Sequence, residues 1–80
     1  MSDGKLVTLR QMKSGQSGRV VRIDGGRGLV SRFNSLGIRP GKRITKVSSM
    51  LMRGPVTIQV DSAQVAIGFG MAGRIIVELR

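Results

Sequence analysis

The sequence predicts a mostly-β fold: a small, partly open antiparallel barrel of about five short strands with one short helix. Three observations carry this reading. Twelve glycines and two prolines cut the 80 residues into short pieces, the punctuation of tight turns between strands. Several of those pieces are rich in Val and Ile and alternate apolar with polar residues. Only the stretch after Leu29 shows the 3.6-residue period of a helix. The length supports one core, hence a single domain over residues 1–80.

Val7-Thr8-Leu9-Arg10-Gln11-Met12 has apolar residues at alternating places and reads either as a short strand or as an irregular lead-in that closes the core. Gly15 and Gly18 precede Arg19-Val20-Val21-Arg22-Ile23, a β-branched strand ending at Asp24-Gly25-Gly26. Leu29, Val30, Phe33 and Leu36 then fall on one helical face. Gly37 supplies a left-handed stop for that helix, and Pro40 cannot continue it.

Residues 42–47 read as a strand in which Arg43 and Ile44 face opposite sides. Lys46 shares the parity of Ile44 and Val47 does not, which leaves the register open. Val56-Thr57-Ile58-Gln59-Val60 alternates cleanly, with Val56, Ile58 and Val60 on the buried face. After a turn at Asp61-Ser62, residues 64–67 pair back, and Ile75-Ile76-Val77-Glu78-Leu79 closes the chain. With no alternating β-α-β units, this order points to a barrel of the SH3-like or OB-like kind.

Composition excludes much. The absence of Cys and His removes thiolate chemistry, imidazole metal ligands and a general base that titrates near neutrality. The serines therefore have no His to activate them, and an enzyme is not expected. The carboxylates Asp3, Asp24, Asp61 and Glu78 lie far apart in sequence, so no intrinsic cofactor is expected, and only a weak or peripheral contact with a transition metal stays open. The five Met residues do not supply a metal site either, since isolated thioethers fill core gaps, and Met71 reads as core. No apolar run approaches the length of a membrane span, and the expected location is cytoplasmic.

Fourteen Lys and Arg against four Asp and Glu give a net charge of +10, which calls for an acidic partner. Arg19 and Arg22 have opposite strand parity, as do Lys42 and Arg43, so the charges are expected to spread round the domain. Phe33 and Phe69 are the only aromatic residues, and Phe33 belongs to the core face of the helix. A single-strand binder needs exposed rings, so the charge favours solubility and an acidic protein or membrane surface over nucleic acid. Gly68-Phe69-Gly70-Met71-Ala72-Gly73 has the dinucleotide-binding spacing, but no room remains after it for the helix, strand and acidic residue that chemistry needs; it reads as a glycine-rich turn. Asp24-Gly25-Gly26-Arg27-Gly28 reads as a plain turn. Met50-Leu51-Met52 beside Arg53 is unusual, because a polar turn is expected between two strands; these residues either complete the core or form a docking or self-association surface with Arg53 as a rim charge.

The stretch Arg32-Phe33-Asn34-Ser35-Leu36-Gly37-Ile38-Arg39-Pro40-Gly41 resembles the FeoA family, with Phe33 where Leu is usual. Gly54-Pro55 with the strand after it, residues 65–77, and Leu9 with residues 13–20 are similar to further family segments in the same order. The resemblance implies an SH3-like barrel that serves as a small cytoplasmic accessory protein of ferrous iron uptake, part of transition-metal homeostasis, and acts on the transporter FeoB without catalysing a reaction. On that reading Met50, Leu51, Met52 and Arg53, with Arg32 and Arg39 on the outer side of the helix, are expected to meet the cytosolic region of FeoB. Self-association and contact with an anionic membrane surface at the inner face of the membrane are compatible with it, and a nucleic-acid-binding small barrel is the alternative.

Overall fold

In the computed structural model, which describes residues 4–49 and 54–79, all strands join one antiparallel sheet. The elements in chain order are β1 (Leu6–Thr8), a 3-10 turn (Leu9–Gln11), β2 (Ser17–Ile23), α1 (Arg27–Ser35), β3 (Arg43–Ser49), β4 (Val56–Val60), β5 (Ala63–Ile67), α2 (Phe69–Ala72) and β6 (Ile75–Leu79). The sheet order is β1-β6-β2-β3-β4-β5, so β1 and β5 are its edges and the barrel is not closed. The expected mostly-β barrel is correct, with a sixth strand: the first apolar segment is both of the things it resembled, a strand and then an irregular turn. Thr8 divides them, because its Oγ1 accepts the Gln11 N–H at 3.3 Å while Gln11 Oε1 accepts the Thr8 N–H at 2.8 Å, a capping box.

The helix stops where expected. Gly37 has φ of +88°, its N–H donates to the Asn34 carbonyl at 3.0 Å, and the Ile38 N–H reaches back to the Phe33 carbonyl at 2.9 Å. This is a Schellman motif, and Phe33 and Ile38 are both buried beneath it. The following Arg39-Pro40-Gly41-Lys42 turn closes through Lys42 N–H to Arg39 O at 3.0 Å. It is held to β2 by Gly41 N–H to Val20 O and Val20 N–H to Lys42 O, at 2.8 and 2.9 Å.

Val7, Val20, Ile44, Val56, Ile58, Val60, Ile67, Ile75 and Val77 supply the inner face of the sheet, and Leu9, Met12, Phe33, Ile38 and Ala72 fill the core against it. At Gly18 the backbone of β6 comes so close that a Cβ would lie 2.7 Å from the Glu78 carbonyl oxygen. Two bulges interrupt the ladders, at Val21 between β2 and β6 and at Val47 between β3 and β4. Each bulged valine is turned to solvent.

These features correct three sequence expectations. Arg19 pairs with Glu78 and Arg22 with Ile76, residues two apart on β6, so the bulge at Val21 cancels the parity difference and puts both arginines on the outer face. Arg43 joins them there as the cross-strand partner of Arg19, while Lys42 lies before β3 begins. Leu36 is the C-cap residue, outside α1, and is exposed. Met71 is exposed too, because residues 69–72 form a helical turn that directs Ala72 inward in its place.

Candidate docking groove

The C-terminal half of α1, the end of β5 and α2 enclose a groove of about 160 Å³, lined by Leu29, Arg32, Phe33, Leu36, Ala66, Ile67, Gly68 and Met71. Phe33 and Ile67 form its buried floor. Leu36 and Met71, 45% and 44% exposed, are its apolar lips. The Schellman turn fixes the first lip, since it ends α1 at Ser35 and leaves Leu36 outside the helical register.

The second lip depends on the placement of α2. Ala72 is fully buried, and its N–H donates to the Gly68 carbonyl at 2.9 Å. The Arg10 guanidinium lies 4.2 Å from the centroid of the Phe69 ring, a cation–π contact that ties α2 to the 3-10 turn. Of the two aromatic rings, therefore, one is in the core and the other is covered by an arginine.

Among the described residues the groove carries one charge, that of Arg32, and Arg32 has no ion-pair partner. The described acidic residues are placed elsewhere. Asp24 pairs with Arg22 at 2.9 Å, Asp61 pairs with Lys42 at 2.6 Å, and Glu78 sits on β6 opposite Leu6 and Arg19. Arg39 is exposed in the loop after α1 and does not line the groove. Met50, Leu51, Met52 and Arg53 lie outside the described residues. The strands on either side of them are placed, however: Ser49 of β3 pairs with Val56 of β4, and Val56 in turn pairs with Ile67 of the groove floor.

Lys46 is the chemically distinctive group of the interior. It shares the inner face with Ile44, is 3% exposed, and its Nζ donates to the carbonyls of Leu9, Arg10 and Met12 at 3.4, 3.2 and 2.5 Å. Burial pushes its pKa below the ordinary lysine value of 10.5. No carboxylate is among its hydrogen-bond partners, and the arrangement is a structural tie between β3 and the end of the 3-10 turn. Among the described residues no three of His, Cys, Asp and Glu come together as metal ligands, and no helix is long and apolar enough to cross a membrane.

Arg32, expected from the sequence at a docking surface, lines the groove, but the groove itself was not legible, because its walls come from two stretches, α1 with Leu36 and the contiguous end of β5 and α2, separated by the strands β3 and β4. The available signal was local: Leu36 and Met71 are large apolar residues beside glycine breakers, where the helical or strand period no longer dictates burial.

The fold is an SH3-like barrel left open along one side, with a helix and a helical turn making a groove beside the edge strand β5. Residues 7–79 match the FeoA domain, and the chain belongs to the FeoA family, which is associated with ferrous iron transport. It is 36% identical over 66 residues to a protein of Methanocaldococcus jannaschii whose name assigns it provisionally as Fe(2+) transport protein A, an alignment covering 82% of this chain and 78% of that one. It is also similar to the crystal structure of an iron uptake regulatory protein, FeoA, with a TM-score of 0.86 and 38% identity over 95% of this chain and 99% of that chain. A manganese-dependent transcriptional repressor shares the fold with a TM-score of 0.85 and 26% identity, covering 100% of this chain but 45% of the repressor.

Proposed function

We propose that this protein is a non-enzymatic accessory factor of ferrous iron uptake that docks on the cytosolic region of the FeoB transporter. Membership of the FeoA family over residues 7–79 is the observation that carries the reading. The groove supports it as a surface suited to a protein partner, and the absence of His and Cys from the sequence argues against chemistry at a metal or nucleophile. The protein works in the cytoplasm at the inner face of the membrane, where its net charge of +10 favours the anionic surface around the transporter. Its influence on transport comes from binding one state of FeoB better than another, since equal affinity for both shifts nothing. Burial of Phe33 and coverage of Phe69 leave no free ring on which a base could stack, which counts against the nucleic-acid alternative.

The test is titration of the purified protein into the FeoB cytosolic region from the same organism, at low and high salt and with a duplex oligonucleotide as competitor. Saturable binding that survives high salt and the competitor is expected. No binding to FeoB, with oligonucleotide affinity falling by about 0.9 log unit per log unit of salt for each phosphate contacted, would replace this reading with nucleic-acid binding.

A further inference from the structure

We infer that the groove between α1, β5 and α2 receives an acidic protein segment carrying one large apolar anchor residue, with a carboxylate placed beside the anchor to meet Arg32. This deepens the docking proposal and rests on it for the identity of the natural partner. The size of the groove selects the class of occupant. At about 160 Å³ it is smaller than the roughly 300–1,000 Å³ typical of small-molecule and cofactor sites, and it has room for one side chain rather than a whole ligand. A single buried anchor on a floor of Phe33 and Ile67 is how protein segments concentrate their binding energy. Leu36 and Met71 stand on either side as exposed apolar lips, and the flexible thioether of Met71 can repack around an incoming residue.

Charge selects the chemistry of the segment. Among the described residues, Arg32 lines the groove without an acidic partner and no Asp or Glu is in the lining. A carboxylate on the segment would therefore complete a pair that this chain leaves open. The same argument disfavours a second copy of this chain as the occupant, because each copy carries a net charge of +10 and close approach is repulsive.

The inference is tested by selecting binders to the full chain from a displayed library of random peptides, using wild type, Arg32→Glu and Leu36→Asp, each variant first checked by its thermal unfolding. Wild type is expected to enrich peptides with a large aliphatic or aromatic residue within about one helical turn of Asp or Glu. Leu36→Asp should weaken the best of them by roughly tenfold or more, and Arg32→Glu should exchange acidic flanks for basic ones. Enrichment of neutral or basic peptides by wild type, no enrichment at all, or equal binding to folded variants would overturn it. So would concentration-dependent dimerisation lost in Leu36→Asp, which would make a second copy the occupant. Titration of the same variants with the FeoB cytosolic region separates the two proposals. FeoB binding that ignores both substitutions removes the groove and keeps the transporter, whereas groove-dependent acidic peptides without FeoB binding remove the transporter and keep the groove.

Discussion

The Lys46 ammonium and the Met12 carbonyl, 34 residues apart in sequence, meet at 2.5 Å inside the barrel. Lys46 is on β3 and Met12 follows the 3-10 turn after β1, so the contact joins the edge side of the sheet to a strand that is not its neighbour. It reinforces the backbone pairing beside it, in which the Gly15 N–H donates to the Lys46 carbonyl at 2.7 Å and the Lys46 N–H to the Gln16 carbonyl at 2.9 Å.

Replacing Lys46 with Met removes these hydrogen bonds and leaves the Leu9, Arg10 and Met12 carbonyls without this donor. Denaturation in urea should show a loss of about 2 to 3 kcal/mol. Equal or greater stability of the variant would mean that desolvation of the ammonium outweighs its bonds in this site.

The same lysine has a pH signature. Its folded pKa is lowered by burial while the unfolded value stays near 10.5, so between the two the unfolded chain binds more protons than the folded one. Stability contributed by this group therefore rises with pH through that window; the desolvation penalty is present in full below the folded pKa and is gone above 10.5. The difference between wild type and Lys46→Met isolates the effect from the other basic groups. The wild-type advantage should widen as pH is raised toward about 10.5, and a difference that shrinks would contradict the assignment.

Gly18→Ala tests the close approach of β2 to β6. The new Cβ would crowd the Val77 side chain and lie 2.7 Å from the Glu78 carbonyl oxygen, and because one obstacle is backbone it cannot be relieved by a rotamer change. We expect about 1 to 3 kcal/mol of destabilisation, read from urea unfolding, with amide exchange accelerating first in β6.

At Gly37 the obstacle is conformational. A Cβ there has ordinary space, 3.4 Å from Val60, but φ of +88° is unfavourable for an L side chain. Gly37→Ala should cost about 1 to 2 kcal/mol, and Gly37→Asn less, since Asn tolerates left-handed geometry. Calorimetry would show a Tm about 5 to 10 °C lower for the Ala variant.

The parts of the fold legible in the sequence are those written in local chemistry. Val56, Ile58 and Val60 alternate without interruption, and the pairing of Gly37 with Pro40 marks the end of the helix and the turn after it. Lys46 was ambiguous because a parity argument treats a lysine as outward, whereas the acceptors that make it inward belong to residues 9, 10 and 12. Val21 and Val47 were hidden for a related reason: each looks like an ordinary strand residue, and only the partner strand reveals that it is the extra one. Of the expected docking residues, Arg32 lines the groove and Arg39 does not.

The sheet order also has a consequence for biosynthesis. Strands β3, β4 and β5 are consecutive and can pair as they emerge from the ribosome, but β6 lies between β1 and β2. The first strand made thus has no neighbour until residues 75–79 have been synthesised, and Leu6 must then find Glu78 across nearly the whole chain. The sheet is completed only when translation has passed β6, so a nascent chain stalled before Ile75 would hold a meander with an unpaired N-terminal strand.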